Sequence, residues 1–182
     1  INDVSESLNI SIPKASELIG SLLKEGFIKE TGKRSVGKGR NASFYSLRNE
    51  GCYFLGVDIK KYKIKIGIMG FDKVIVKSKL DIPFLYQESG ESLKEIIAII
   101  NEFLKELKIV KSKIAGVGIS IAGRINVRTG EILTIYHFGD APIKSILEKE
   151  LGLPVFIDND SRTIAYGEFH FGNRKEENEV LV

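Results

Sequence analysis

A single cysteine, Cys52, is all the thiol that this chain of 182 residues carries. No disulfide can close within it and no cysteine cluster can grip zinc, which suits a reducing, cytoplasmic setting. Long apolar runs are also missing. The longest, residues 96–100, falls far short of the roughly 20 residues that a membrane helix needs. Residues 1–10 contain Asp3 and Glu6 and no apolar core, so no secretory leader is read there. Charge of one sign is scarce too: a net charge of +3 does not by itself point to nucleic acid. Its distribution says more, because from Lys33 to Arg48 there are five basic residues and no acidic one. With 43% hydrophobic and 28% charged residues, the composition is globular, and the length suits one substantial domain plus a small one.

The first fifty residues read as a unit. Val4, Leu8 and Ile10 mark the end of a short helix and a turn. Ser11 is a suitable N-cap, and Pro13 falls in the first turn of the next helix, where its missing N–H costs nothing. Ala15, Leu18, Ile19, Leu22 and Leu23 form an apolar stripe at helical spacing, and Gly26 stops it. Residues 27–30 read as a strand, residues 31–42 as a glycine-rich basic loop, and residues 43–47 as a returning strand. Helix, turn, helix and a hairpin with a basic tip outline a winged helix-turn-helix over residues 1–50. In that reading Ser11, Lys14 and Ser16 meet base edges of operator DNA, while Lys33, Arg34, Lys38 and Arg40 contact phosphates or enter the minor groove. The same residues also read as a small helical hairpin with a solvated basic loop. A first helix is expected before Ile1.

The body follows as residues 51–182. Residues 55–59, 63–69 and 74–81 read as three strands, the second with Ile64, Ile66 and Ile68 alternating with Lys63, Lys65 and Gly67. Residues 91–108 carry apolar side chains at helical spacing, from Leu93 and Ile96 to Phe103 and Leu107. Residues 114–121 are too apolar for an exposed edge and read as a central parallel strand. A hairpin around Thr129-Gly130-Glu131, a helix from Pro142, a strand at residues 155–157 and a last helix complete the order β-β-β-α-β-(hairpin)-α-β-α. That is the half-domain order of the actin-like ATPase (ribonuclease H-like) fold, a mixed α/β sheet with helices. Val180-Leu181-Val182 reads as the start of another strand, with the second half of the fold expected after it.

Asp158-Asn159-Asp160 closes the strand at residues 155–157, with Asp160 or Ser161 expected as the N-cap of the last helix. In open α/β sheets ligands gather at the carboxyl ends of strands, and an Asn-Asp pair there can bind vicinal hydroxyls. The same three residues also read as only a turn and a cap.

Three stretches resemble the ROK family (repressor, open reading frame, kinase) of bacterial sugar kinases and sugar-responsive repressors. They are Leu55-Gly56-Val57-Asp58-Ile59 to Asp72, residues 116–123 with Gly116, Gly118 and Gly123, and residues 152–172 with Asp158-Asn159-Asp160 and Gly167-Glu168-Phe169. The repressors of this family also carry an N-terminal winged helix. The resemblance implies a sugar or sugar phosphate held by Gly123, Asn159 and Asp160, with operator DNA as the other partner and a homo-oligomer, dimer or tetramer, as the assembly. It implies no cofactor or metal within this chain and a zinc motif of histidine and cysteine beyond Val182. The sequence departs from the kinases after the first strand. Their Gly-Gly-Thr phosphate loop needs small residues so that backbone N–H groups can reach a nucleotide, and here Lys60-Lys61-Tyr62 stands instead. ATP binding is therefore expected to be lost, and Asp160, aligned with the kinases' base, becomes a hydroxyl ligand. The kinase loop residues Asn and Trp are replaced across Tyr136-His137-Phe138-Gly139-Asp140, where His137 and Asp140 could touch sugar and His137 reads equally as a structural histidine. The expectation is a sugar-responsive repressor and not an enzyme; the alternative is an active ROK sugar kinase with an appended DNA-binding domain.

Overall fold

A computed structural model of the chain describes residues 1–35, 41–87, 90–134, 136, 138 and 143–172. The chain divides into two units, one of Ile1–Tyr53 with Gly70–Val74 and one of Phe54–Met69 with Ile75–Val182.

In the first unit, α1 (Asn2–Leu8) ends at Asn9 in the left-handed region, with the Asn9 N–H turned back to the Ser5 and Glu6 carbonyls. Ser5 Oγ donates to the Ile10 carbonyl at 2.6 Å and pins the turn. Ser11 caps α2 (Ile12–Glu25), and Pro13 sits in its first turn. Gly26, at φ 81°, closes it with an N–H shared between the Leu22 and Leu23 carbonyls, a backbone setting that a Cβ would strain. β1 (Ile28–Ser35) and β2 (Asn41–Leu47) pair antiparallel from Ile28↔Leu47 to Ser35↔Asn41, with a bulge between Glu30 and Gly32. Both strands run further than the sequence suggests, because the bulge absorbs Thr31 and lets Gly32 and the polar residues after it join the ladder. The apolar stripe of α2 is also less buried than its spacing implies. Ala15 and Ile19 are buried, but Leu18, Leu22 and Leu23 are 38%, 39% and 37% exposed. Among the described residues, the short α1 and β1 are the elements that pack most on this helix. The turn Gly70–Val74 belongs with this unit: the Phe71 N–H donates to the Asn49 carbonyl, and the rings of Phe27 and Phe71 lie 6.0 Å apart.

The second unit is built on a five-stranded sheet in the order β5-β4-β3-β6-β9. Its strands are β3 (Tyr53–Ile59), β4 (Lys63–Gly70), β5 (Ile75–Pro83), β6 (Ile114–Ile121) and β9 (Val155–Asn159). β4 and β5 are antiparallel, and β6 and β9 are parallel. Alternation puts Leu55, Val57 and Ile59, then Ile64, Ile66 and Ile68, then Val117, Ile119 and Ile121 into the core. Onto it α3 (Gly90–Glu106) buries Leu93, Ile96, Ile100 and Phe103, and α4 (Ile143–Leu151) buries Ile143, Leu147 and Leu151. α4 packs on both α3 and β9. Ser92, a buried polar residue at the start of α3, is satisfied: its hydroxyl donates to the Gln87 carbonyl and accepts from the Gln87 N–H. β7 (Ile125–Asn126) and β8 (Glu131–Ile132) form a small hairpin, and α5 (Asp160–Phe171) follows β9 directly. This mixed α/β arrangement is consistent with the actin-like half-domain.

Ile100 is fully buried in this core. Its replacement by alanine is expected to lower stability by about 2–5 kcal/mol, the usual cost of such a cavity, read as a shift in the urea midpoint at unchanged slope.

Candidate functional site

The parallel register of β6 on β9 sets Ser120 opposite Asp158 and Ile121 opposite Asn159, so both strands present their carboxyl ends together. α5 starts at the next residue and aims its first N–H groups at the same place. Asp58 lies next to the end of β3, and the three-residue link Lys60-Lys61-Tyr62 carries the chain into β4. Four elements thus contribute side chains to one small region.

Lys60 lies at its centre. Its Nζ donates to Asp160 Oδ2 at 2.8 Å and lies 3.4 Å from Asp58 Oδ1. Ser120 Oγ donates to the same Asp58 oxygen at 3.0 Å, and Thr163 Oγ1, on α5, lies 2.9 Å both from Ser120 Oγ and from the Asp160 carbonyl. All of these groups are partly buried, which strengthens each contact over its value in water. The hydrogen bond from Lys60 holds the Asp160 carboxyl below its ordinary range, against burial that pushes it up. Burial pushes the Lys60 ammonium down, but the two carboxylates outweigh it and raise it on balance.

Asn159, not Asp160 or Ser161, caps α5. It keeps an extended backbone because β9 runs on through it, and its Oδ1 accepts from the Arg162 N–H at 3.1 Å. Its Nδ2 donates to the Gly123 carbonyl at 2.9 Å and to Asp160 Oδ1 at 3.3 Å. Asp160 Oδ1 also accepts from the Ser161 N–H at 2.9 Å. The Asn159 amide therefore spends both donors on the protein, and Asp160 keeps unused acceptor capacity on Oδ2. Gly123, at φ 120°, has no room for a side chain: a Cβ would lie 2.4 Å from the Thr134 carbonyl oxygen. Asp158 is engaged elsewhere, accepting from the Asn159 N–H at 2.6 Å and from Arg162 Nε at 2.7 Å.

The structure thus brings Gly123, Asn159 and Asp160 together. It adds partners that the sequence reading missed: Lys60 as the ion-pair partner of Asp160, and Ser120 and Thr163 as hydroxyl links. Beside them stands an aromatic group. The ring of Tyr86 lies edge-on to Tyr136 at 4.4 Å and to Phe138 at 5.5 Å, and Tyr136 and Phe138 are both buried. Burial raises the Tyr136 phenol, which stays neutral. His137 and Asp140 lie outside the described residues.

In the other unit, Ser11, Lys14 and Ser16 are exposed at the N-terminal turn of α2. Ser11 Oγ accepts from the Lys14 N–H, and Lys14 Nζ pairs with Glu17 at 2.9 Å, an exposed contact of small worth. Lys33 and Arg34 lie on β1, in register with Ser43 and Ala42; Lys38 and Arg40 lie outside the described residues.

Gly123→Ala is expected to destabilise the protein by about 1–3 kcal/mol, through backbone strain together with the clash against Thr134, as thermal unfolding would register. A second expectation concerns acid. A carboxyl held low in the folded state stabilises above its unfolded pKa and loses that contribution as pH falls toward its folded value. Asp160→Asn should therefore flatten the acid limb of the stability profile below about pH 4, the ordinary aspartate range.

Residues 54–182 match the ROK family. The xylose repressor of Bacillus subtilis is 25% identical over 180 residues, covering 98% of this chain and 46% of the repressor. The xylose repressor of Caldicellulosiruptor bescii is 24% identical over 171 residues, 93% of this chain and 43% of its own length. A glucokinase of Halalkalibacterium halodurans is 33% identical over 123 residues, 66% of this chain and 37% of the kinase. Among solved structures, a ROK family transcriptional regulator homologous to the E. coli MLC protein superposes with a TM-score of 0.72 at 21% identity, over 92% of this chain and 43% of that one. A ROK glucokinase from Streptomyces griseus, solved with glucose and AMPPNP, gives 0.57 at 24% identity over 69% and 39%. At such identities the structural likeness speaks for the fold alone. The chain spans less than half the length of these relatives. By the match over residues 54–182, it belongs to the ROK family.

Proposed function

We propose that the protein is a sugar-responsive transcriptional repressor. Residues 1–50 act as a winged helix-turn-helix on operator DNA, and residues 51–182 form the first part of an actin-like domain that binds a sugar or sugar phosphate. The observation that carries this reading is the extent of the similarities. The two xylose repressors match over 98% and 93% of the chain, its first unit included, while the glucokinase matches over only 66%, close to the reach of the family region alone. The helix, turn, helix and hairpin of the first unit support the same reading. Ser11, Lys14 and Ser16 face base edges, and Lys33, Arg34, Lys38 and Arg40 hold phosphates. The working protein is a cytoplasmic homo-oligomer, whose symmetry would match two half-sites.

At the sugar site Asp160 accepts a hydroxyl through the free capacity of Oδ2, and the rigid Asn159 and Gly123 shape the surface beside it. Asp160 is not a working base here, because a carboxylate paired with an ammonium is a poor proton acceptor. Sugar binding and operator binding oppose one another, and the coupling is reciprocal, typically about 1–3 kcal/mol. The kinase alternative has two observations in its favour, the retained Asp160 and a glucokinase relative at 33% identity.

The test is fluorescence anisotropy of the full-length protein on its own upstream DNA at fixed salt, over a panel of sugars and sugar phosphates, beside a coupled assay of ATP consumption. One sugar should weaken operator binding by about tenfold or more, roughly 1.4 kcal/mol, without ATP turnover. Asp160→Asn should bind the operator normally and lose the response. Sugar-dependent ATP turnover, or failure to bind DNA, would overturn the reading.

A further inference from the structure

Asp58 and Asp160 come from β3 and the start of α5, far apart in sequence, yet both reach the same ammonium. Two carboxylates converging at the ends of neighbouring elements repel each other unless a cation lies between them. In this protein that cation is part of the chain. Lys60 Nζ is 2.8 Å from one carboxylate and 3.4 Å from the other. Its side chain and those of both partners are at most about a third exposed, so solvent ions screen them only in part. The contacts form a closed ring. Lys60 joins Asp58 to Asp160, Ser120 donates to Asp58, and Thr163 joins Ser120 to the backbone of Asp160. Nothing in the ring is redundant with the helix cap, which Asn159 supplies.

We propose that Lys60 is a positioning residue that serves as the resident counter-cation of the site, standing between Asp58 and Asp160 in the place that a divalent metal ion could otherwise take. The ammonium fixes both carboxylates in place and holds the Asp160 carboxyl below its ordinary range. Asp160 is thereby held as a hydrogen-bond acceptor for a ligand hydroxyl. With one positive and two negative charges, the trio carries a net charge of −1. The neighbouring charges do not alter this balance: Asp158 is paired with Arg162, and Tyr136 is neutral. The inference deepens the reading of this site as a binding site. It is tested without ligand or DNA, so its failure and the failure of that reading are separable.

The experiment compares full-length wild type with Lys60→Met and Lys60→Arg by two readouts: the acid limb of thermal stability, and Mn2+ uptake followed by electron paramagnetic resonance. Wild type should lose the contribution of Asp160 only below the ordinary carboxylate range, because that carboxyl is held low. In Lys60→Met the like charges face each other, so the acid limb should move to higher pH, and Lys60→Arg should restore it. Lys60→Met should also gain a Mn2+ site about tenfold or more tighter than any that wild type shows here, roughly 1.4 kcal/mol. That site should vanish when Asp58→Asn is added. An acid limb of Lys60→Met that coincides with wild type overturns the proposal, and so does the absence of new Mn2+ uptake. Should Lys60→Met fail to fold, Lys60→Gln at a permissive temperature gives the same two readouts with the same meaning.

Discussion

The parallel pairing of β6 with β9 is the constraint on which the candidate site depends. Once Val117 lies opposite Val155, the ladder carries forward to set Ser120 beside Asp158 and Ile121 beside Asn159. A slip of one residue would turn Val155 and Ile157 out of the core and drive Phe156 into it. The hydrophobic pattern of two short strands therefore fixes the position of polar groups beyond them. The core under the sheet, made by α3 and α4, holds that register and supplies no chemistry of its own.

Asp160 is the residue on which kinase and repressor readings diverge. A base must be free to take a proton, whereas a binding carboxylate must be held ionised and aimed. The surroundings favour the second task. Asp160 accepts from Lys60, the Ser161 N–H and Asn159, and its carboxyl is held low. Asn159 is similarly committed, to the cap of α5 and to the Gly123 carbonyl. A site built of groups already tied to the protein gives up little freedom when a ligand arrives, which favours recognition.

Much of the fold was legible because its elements are locally determined. Ser11, Pro13 and Gly26 delimit α2 by cap chemistry alone, and the apolar run at residues 114–121 could only be a central strand. What escaped the sequence was set at a distance or by small backbone choices. Lys60 and Asp160 lie 100 positions apart, so a lysine read as the loss of a phosphate loop gave no sign of its partner. The cap of α5 fell on Asn159 because β9 runs two residues past its apolar part. The hairpin β1–β2 is longer than its hydrophobic alternation, since a bulge continues the ladder through polar residues. Three leucines of α2 stay more than a third exposed, a reminder that helical periodicity identifies a face but not what covers it.

A charge carried on a side chain differs from a dissolved one in a way that reaches beyond geometry. Lys60 is joined to the chain by β3 and β4, so its ammonium cannot be diluted, chelated or outcompeted by other ions. A site neutralised by magnesium reports on the cell's metal and nucleotide supply as well as on its ligand. A site whose counter-charge is its own lysine is deaf to both.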